Sequence, residues 1–254
     1  MFCKTGRYWM CEKHDLFGFQ NNVNGGMAEY VKLTKEAIPH LVPDSLPIDK
    51  AILTEPYACS WHCVDRAQIG NRDVVVQSGV GTLGLGMVGA IKQKNPKLLI
   101  VLDMNDARLA KAKEFGADIV MNPGKMDVIS EIKKLTGGYG CDIYIEATGH
   151  PSSVEQGLQC IRKMGRFVEF SVFGEKVSVD WSIISDRKEL DLLGVHLSPY
   201  CFDTVLEWIE DGKLPTDGVV SHKLPLEKWE EGFDIASKSA EGTFKVVLVP
   251  SQSE

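Results

Sequence analysis

The chain has 254 residues, of which 44% are hydrophobic and 25% are charged, as is usual for a globular protein with a sizeable core. Its formal net charge of −7 argues against general binding to nucleic acids or membrane surfaces, because no basic excess is available to neutralise phosphates. No apolar run approaches the roughly 20 residues of a membrane helix, and no secretory leader pattern precedes the first charged residues. We therefore expect a cytoplasmic protein.

The N-terminal zone, residues 1–44, is rich in Gly, Asn and Pro. The stretch GGMAEYVKL at 25–33 predicts a strand that opens on glycine, and 39–47 reads as an irregular segment punctuated by proline. This zone is too short to form a core of its own.

Residues 48–197 alternate between apolar, β-rich runs and helical segments. Strands of nearly continuous apolar residues separated by helices are typical of a parallel sheet covered on both faces. The predicted class is therefore α/β, with a doubly wound parallel Rossmann sheet. Strands are predicted at 73–79, 98–103, 118–122, 141–149, 166–172 and 190–197, and helices at 82–95, 105–117, 126–136 and 151–163.

The C-terminal zone breaks this alternation. It predicts amphipathic helices at 202–214 and 226–239, followed by a strand at 243–250. We expect residues 198–254 to join residues 1–47 in a second, discontinuous domain, with residues 48–197 forming the sheet domain.

The clearest chemical motif is G-x-G-x-x-G, formed by Gly79, Gly81 and Gly84 between a predicted strand and a predicted helix. The first glycine permits a tight turn, the second lets the backbone approach a pyrophosphate, and the third allows close packing of helix and strand. The helix N-terminus then faces the phosphates. Thr82 and Leu83 complete the predicted cofactor-binding loop.

An acidic residue, Asp103, ends the next predicted strand, 24 residues after Gly79. A carboxylate there accepts hydrogen bonds from ribose hydroxyls and repels a 2′-phosphate, which favours NAD over NADP. Arg108 is included in the site because a nearby arginine can accommodate that phosphate. A flavin is a weaker alternative, and in a purely structural interpretation the glycines permit packing while Asp103 caps a helix.

Several segments together resemble the medium-chain zinc-dependent alcohol and polyol dehydrogenases. They are NGGMAEYV, TEPYACSWHCV, DVVVQSGVGTLGLGMVGAIK, ADIVMNP, GCDIYIEATG and GRFVEFSVFGE. The similarity is strongest to the branch acting on sorbitol, threitol, erythritol or the 3-hydroxyl of threonine, in which the dipeptide Glu55-Pro56 is characteristic. It implies NAD-dependent oxidation of a secondary alcohol to a ketone, with zinc polarising the alcohol oxygen. It also implies an incomplete GroES-like catalytic domain beside the Rossmann sheet.

The resemblance also assigns metal ligands. Cys3 and Cys11 match the last two cysteines of a C-x-x-C-x-x-C-x7-C lobe that holds a structural zinc. Glu55 matches the carboxylate that completes the catalytic zinc site, and it is the only predicted catalytic residue; its structural alternative is an acid at a helix N-terminus. A catalytic zinc needs about three protein ligands. Because the other ligands are missing, we expect an N-terminally truncated dehydrogenase that keeps NAD binding and loses zinc-dependent turnover.

Two further motifs leave alternatives open. Cys59, His62 and Cys63 suggest a metal cluster, but one helix rarely offers tetrahedral geometry, so packing is favoured. Cys141, Cys160 and Cys201 carry no motif and are interpreted as buried thiols. Asp142, Glu146, Thr148 and Gly149 match a D-x-x-x-E-x-x-G spacing that the family shows where the sheet edge meets the cofactor, or a simple turn after a buried strand.

The expected substrate is a small polyol or alcohol, without nucleic-acid or membrane partners. The resemblance further implies a homo-oligomer, a dimer or tetramer, in which strand 190–197 pairs across a two-fold axis. The competing hypothesis is a non-catalytic nucleotide-binding subunit or redox sensor. A zinc-independent, quinone-reductase-like protein is disfavoured, because that branch does not need Cys3, Cys11 or Glu55.

Overall fold

A computed structural model describes residues 1–20, 22–238, 240 and 242–250. Six strands form a central sheet in the order β3-β2-β1-β4-β5-β6, and every neighbouring pair is parallel. This is the doubly wound order of a dinucleotide-binding sheet, so the predicted fold class is confirmed. The strands are β1 (Val74–Ser78), β2 (Leu98–Leu102), β3 (Ile119–Met121), β4 (Cys141–Glu146), β5 (Ile161–Glu169) and β6 (Asp191–Gly194).

The helices follow the predicted alternation. They are α1 (Ile48–Ala51), α2 (Thr54–Arg66), α3 (Thr82–Gln93), α4 (Asp106–Glu114), α5 (Val128–Leu135), α6 (Pro151–Cys160), α7 (Phe202–Glu210) and α8 (Trp229–Lys238). Neighbouring strand residues face opposite sides of the sheet, so Val75 and Val101 enter one apolar cluster while Val76 and Ile100 enter the other. The sheet is thus covered on both faces, which explains its continuous apolar strands.

Close packing between α2 and α3 builds the side of the sheet nearest the glycine motif. A Cβ at Gly86 would lie 2.5 Å from the Tyr57 ring, so only glycine permits this approach. The fully buried Tyr57 donates its hydroxyl to the Pro215 carbonyl at 2.8 Å. On the outer side of α2, Trp61 packs edge-on against Trp208 of α7 with ring centroids 4.6 Å apart.

Helix α7 therefore shares a core with the sheet, since Val205, Leu206 and Ile209 belong to the same cluster as Val75. The division at residues 47 and 197 stays a prediction. A separate two-stranded parallel sheet is formed by β7 (Val220–Pro225) and β8 (Lys245–Val249), with α8 between them in the chain. Helix α8 and strand β8 match the predicted elements, except that Ser239 lies outside the described residues.

Three predictions about elements were wrong. Residues 25–33, all of them described, form no strand; Tyr30 is 82% exposed, and an amphipathic stretch without a neighbouring strand gains nothing from extension. Strand β5 begins at Ile161 instead of 166, so α6 ends three residues earlier than predicted. The predicted helix 202–214 ends at Glu210, followed by Gly212 with φ 69°.

Candidate cofactor-binding site

The glycine motif lies in the turn between β1 and α3, at the carboxyl edge of the sheet. Gly79 has φ 100°, and a Cβ there would lie 2.5 Å from the Ala147 carbonyl oxygen. A Cβ at Gly84 would lie 2.3 Å from the Gly79 carbonyl oxygen. These two glycines are therefore required by the packing of the turn itself.

Gly81 differs from both, because a Cβ built on it would meet no atom within 4 Å. It is the N-cap of α3, and lacking a side chain it leaves the first N–H groups of the helix unobstructed. An unobstructed helix N-terminus in a concave turn suits a phosphate group. Packing alone thus explains the first and third glycines but not the second.

Gln77, which no sequence motif marked, holds the turn together. This residue of β1 is fully buried, and its amide Nε2 donates to the carbonyls of Gly79 and Gly84, both at 2.9 Å. The two ends of the glycine turn are therefore fixed to one side chain. An amide inside an otherwise apolar strand, just before the turn, was the signal that could have revealed it.

Asp103 follows β2 and lies beside the glycine turn. Its Oδ2 accepts from the Val80 N–H and its Oδ1 from the Asn105 N–H, each at 2.8 Å. The carboxylate is half-buried and held in one orientation while each oxygen retains capacity for a further donor. Nearby on α4, Arg108 has a buried Nε with no hydrogen-bond partner among the described residues. This orphaned donor is compatible with a ligand at this end of the site.

The rest of the predicted loop opens into a cleft of about 1170 Å³. Thr82 and Leu83 line it together with Gly81 and Gly84, and Thr82 donates its hydroxyl to the Phe244 carbonyl at 2.9 Å. The cleft walls also include turns 147–149, 170–172 and 195–198 and the aromatic N-terminal segment. A cleft of this size accommodates a cofactor portion and a small substrate together.

Of the metal ligands implied by resemblance, Glu55 lies in this cleft at the start of α2. The Cys59 thiol donates to Glu55 Oε1 at 3.3 Å. Burial, with a further contribution from the charge of Glu55, raises the pKa of Cys59 to about 12. Near neutral pH this thiol is therefore protonated and a poor metal ligand or nucleophile.

Cys3 and Cys11 lie with their thiols in hydrogen-bonding reach of each other. That contact raises the pKa of Cys3, whereas backbone N–H groups of His14 and Lys13, followed by the Cys3 thiol, lower the pKa of Cys11. Over the ranges that the structure describes, no three His, Cys, Asp or Glu side chains are grouped to hold a metal ion. Neither zinc site implied by the resemblance fits the described residues, so we assign no chemical step to a metal.

The remaining cysteines that the sequence singled out are buried. Cys59, His62 and Cys63 all lie on α2 as predicted, and Cys63 is fully buried. Cys141, Cys160 and Cys201 are buried, as expected of packing thiols. At the cleft, the rings of His14 and His196 stack with centroids 5.1 Å apart, a contact between distant segments that sequence alone did not reveal.

The D-x-x-x-E-x-x-G motif is divided between the two ends of β4. Glu146, Thr148 and Gly149 lie at the carboxyl edge, where the latter two line the cleft. Asp142 lies at the opposite end, and its carboxylate accepts from the Val74 N–H at 2.7 Å and from Arg162 Nε at 2.6 Å. The predicted position of Asp142 beside the cofactor was therefore wrong, because three residues of extended strand separate it from Glu146.

Comparison with known proteins identifies the family. The model of the zinc-binding dehydrogenases matches residues 82–211. An erythritol/L-threitol dehydrogenase of Mycolicibacterium smegmatis is 48% identical over 251 residues, covering 99% of this chain and 69% of that protein. The chain belongs to the zinc-binding dehydrogenase family. It is therefore an oxidoreductase by family, and the predicted resemblance is confirmed.

Solved structures agree with this zinc-binding dehydrogenase fold. A short chain alcohol dehydrogenase from Escherichia coli CFT073, complexed with NADH, is 25% identical with a TM-score of 0.87, covering 98% of this chain and 72% of that one. A zinc-binding dehydrogenase from Sinorhizobium meliloti 1021, bound to NADP, is 26% identical with a TM-score of 0.88 and the same coverages of 98% and 72%. Members of this structural group thus bind a nicotinamide cofactor. Among the described residues of this dehydrogenase, no helix is both long and apolar enough to cross a membrane.

Proposed function

We propose that this dehydrogenase chain binds NAD together with a small polyol, the two reactants for oxidation of a secondary hydroxyl to a ketone, but does not by itself complete the zinc-dependent turnover. The observation that carries the proposal is the open space at Gly81, at the N-terminus of α3 and beside the fixed carboxylate of Asp103. A pyrophosphate at the helix N-terminus and a ribose at the carboxylate would use both features at once.

The cofactor, when bound, supplies the hydride acceptor. The residues of this chain that would hold it are the glycine turn, with Thr82 and Leu83, and Asp103 at the adenosine end. The charge of Asp103 opposes a 2′-phosphate, which favours NAD, whereas the unpaired Nε of Arg108 is the feature that would favour NADP.

The substrate class rests on the 48% identity to the erythritol/L-threitol dehydrogenase. The cleft adjoining the glycine turn contains Glu55, His14 and His196, and such groups can orient the hydroxyls of a four-carbon polyol. The alternative of a redox sensor gains no support from the relatives reported above, which are all dehydrogenases.

Binding and turnover measurements on the purified chain test this proposal. We expect one NAD⁺ per chain by titration calorimetry, weaker binding of NADP⁺, and tighter NAD⁺ binding in the presence of L-threitol or erythritol than with ethanol. Since the described residues group no zinc ligands, we expect no zinc-dependent formation of NADH from these polyols. Equal affinity for NADP⁺, or no effect of the polyols, would argue against the assigned cofactor and substrate, respectively.

A further inference from the structure

Two glutamates end neighbouring strands at the cleft edge of the sheet. Glu146 closes β4 and Glu169 closes β5, and they lie directly opposite each other in the parallel register. Glu146 is fully buried, and Glu169 is partly buried. Adjacent strands are only about 5 Å apart, so two like charges here would repel each other strongly.

Each carboxyl also holds a turn that lines the cleft. Glu146 accepts from the N–H groups of Thr148 at 2.8 Å and Gly149 at 3.3 Å. Glu169 Oε1 accepts from the Ser171 N–H at 2.6 Å. Turns 147–149 and 170–172 line the same cleft as the glycine turn, so each carboxyl lies directly behind a segment of the cleft wall and is hydrogen-bonded to it.

In the proposed binding mode, the pair lies on the half of the sheet that would receive the nicotinamide. A doubly wound sheet binds one nucleotide on each half, and Asp103 places the adenosine half over β1 to β3. The other half, over β4 to β6, receives the nicotinamide. That ring is a cation in NAD⁺ and neutral in NADH, so a nearby charge affects the two forms differently.

We propose that Glu169 determines the preference of the site for oxidised over reduced cofactor, carrying a negative charge when NAD⁺ is bound and a proton when NADH is bound. This inference rests on the proposed function, namely that the cleft binds NAD. When an alcohol is oxidised and NAD⁺ becomes NADH, Glu169 therefore gains a proton as the nicotinamide ring loses its positive charge.

The surroundings of Glu169 support a proton that is exchanged near neutral pH. Burial, followed by the negative charge of Glu146, raises the pKa of Glu169 to about 7, although the Ser171 N–H opposes this shift. Cys63 on α2 also faces it, and burial raises the pKa of that thiol far enough to keep it uncharged. On β6, the residue opposite Glu169 is the uncharged Gly194.

The direction of the pH effect follows from these groups. Above about pH 7 Glu169 is charged, so the affinity for NADH falls relative to that for NAD⁺. By reciprocity, Glu169 holds more protons in the NADH complex than in the NAD⁺ complex near pH 7.

Calorimetry on the full chain tests the inference. NADH and NAD⁺ are titrated at about pH 6, 7 and 8, each in two buffers with different ionisation enthalpies, which gives the protons exchanged. Near pH 7 we expect the number of protons exchanged on binding to differ between the two cofactors, with more protons held in the NADH complex, and we expect a roughly three- to tenfold fall in the NADH to NAD⁺ affinity ratio between pH 6 and 8. Glu169→Gln should abolish both effects, whereas Glu155→Gln, at an exposed site on α6, should retain them.

The outcomes separate this inference from the proposed function. Absence of cofactor binding at every pH would overturn both. Equal proton exchange for NADH and NAD⁺, or an unchanged difference between them in Glu169→Gln, would overturn the inference alone. If Glu169→Gln does not fold, Glu169→Asp is titrated in its place, since proton exchange by the cleft histidines His14 and His196 does not depend on Glu169. Equal proton exchange for NADH and NAD⁺ in the wild-type chain would still overturn the inference.

Discussion

At the scale of single residues, the three glycines of the G-x-G-x-x-G motif have different structural roles. Gly79 and Gly84 are required because a Cβ would collide with backbone atoms, whereas a Cβ at Gly81 would meet nothing in the protein. Gly81→Ala should therefore leave the melting temperature unchanged and weaken NAD⁺ binding about tenfold or more, because the added methyl occupies the approach of the pyrophosphate. Thermal unfolding and calorimetry measure the two effects.

Gly84→Ala provides the matched comparison. Its Cβ would lie 2.3 Å from the Gly79 carbonyl oxygen, so we expect about 2 kcal/mol or more of lost stability. If Gly81→Ala proved as destabilising as Gly84→Ala and bound NAD⁺ normally, all three glycines would serve packing alone and the turn would not bind the cofactor.

At the scale of elements, the sequence predicted most accurately the strands that are buried on both faces. The strands from β1 to β4 are apolar on both faces, and this pattern leaves few alternatives to a covered parallel sheet. The start of β5 was missed because residues 161–165 continue the composition of α6. Here the chain turns at Met164 with φ 55°, which no periodicity signals.

The candidate site was also predicted only where its residues follow a local pattern in the chain. The glycine turn and Asp103 could be located from spacing, because they follow consecutive strands. Strand β7 was missed because its partner β8 lies about 20 residues further along the chain, and the stacking of His14 on His196 depends on contacts between distant segments. Gln77 and Glu169 were missed as site residues because each stands alone among apolar neighbours.

The contact between α2 and α3 predicts how a substitution at Gly86 changes stability. Gly86→Ala would place a Cβ 2.5 Å from the buried Tyr57 ring and 2.7 Å from Ser60 Oγ. The gain in helix propensity is about 1 kcal/mol, and overpacking against a fully buried ring outweighs it, so we expect a net loss of about 1–2 kcal/mol. Chemical denaturation measures this loss.

Gly174→Ala is the control for this substitution, because a Cβ at Gly174 meets no atom within 4 Å and its φ is not positive. It should leave the free energy of unfolding unchanged within about 0.5 kcal/mol. An increase in stability on Gly86→Ala would show that α2 and α3 can separate without cost.

At the scale of the whole molecule, strand β6 is one of the two edge strands of the six-stranded sheet, the other being β3. Leu192 on this strand is 45% exposed, and an open strand edge offers unpaired backbone groups to a second copy of the chain. We therefore predict a two-fold dimer through β6, detectable as twice the chain mass by light scattering. Leu192→Asp should shift the population to single chains, whereas an unchanged mass would place the contact elsewhere.

The central claim is that the glycine turn and Asp103 bind the adenosine half of NAD. Titration calorimetry with NAD⁺ on the wild-type chain and on Asp103→Asn tests it most directly, because this change keeps the size of the side chain and removes its charge. We expect stoichiometric binding to the wild-type chain, about tenfold weaker NAD⁺ binding to the variant, and a smaller preference for NAD⁺ over NADP⁺. Binding that is absent in the wild-type chain, or identical in the variant, would contradict it.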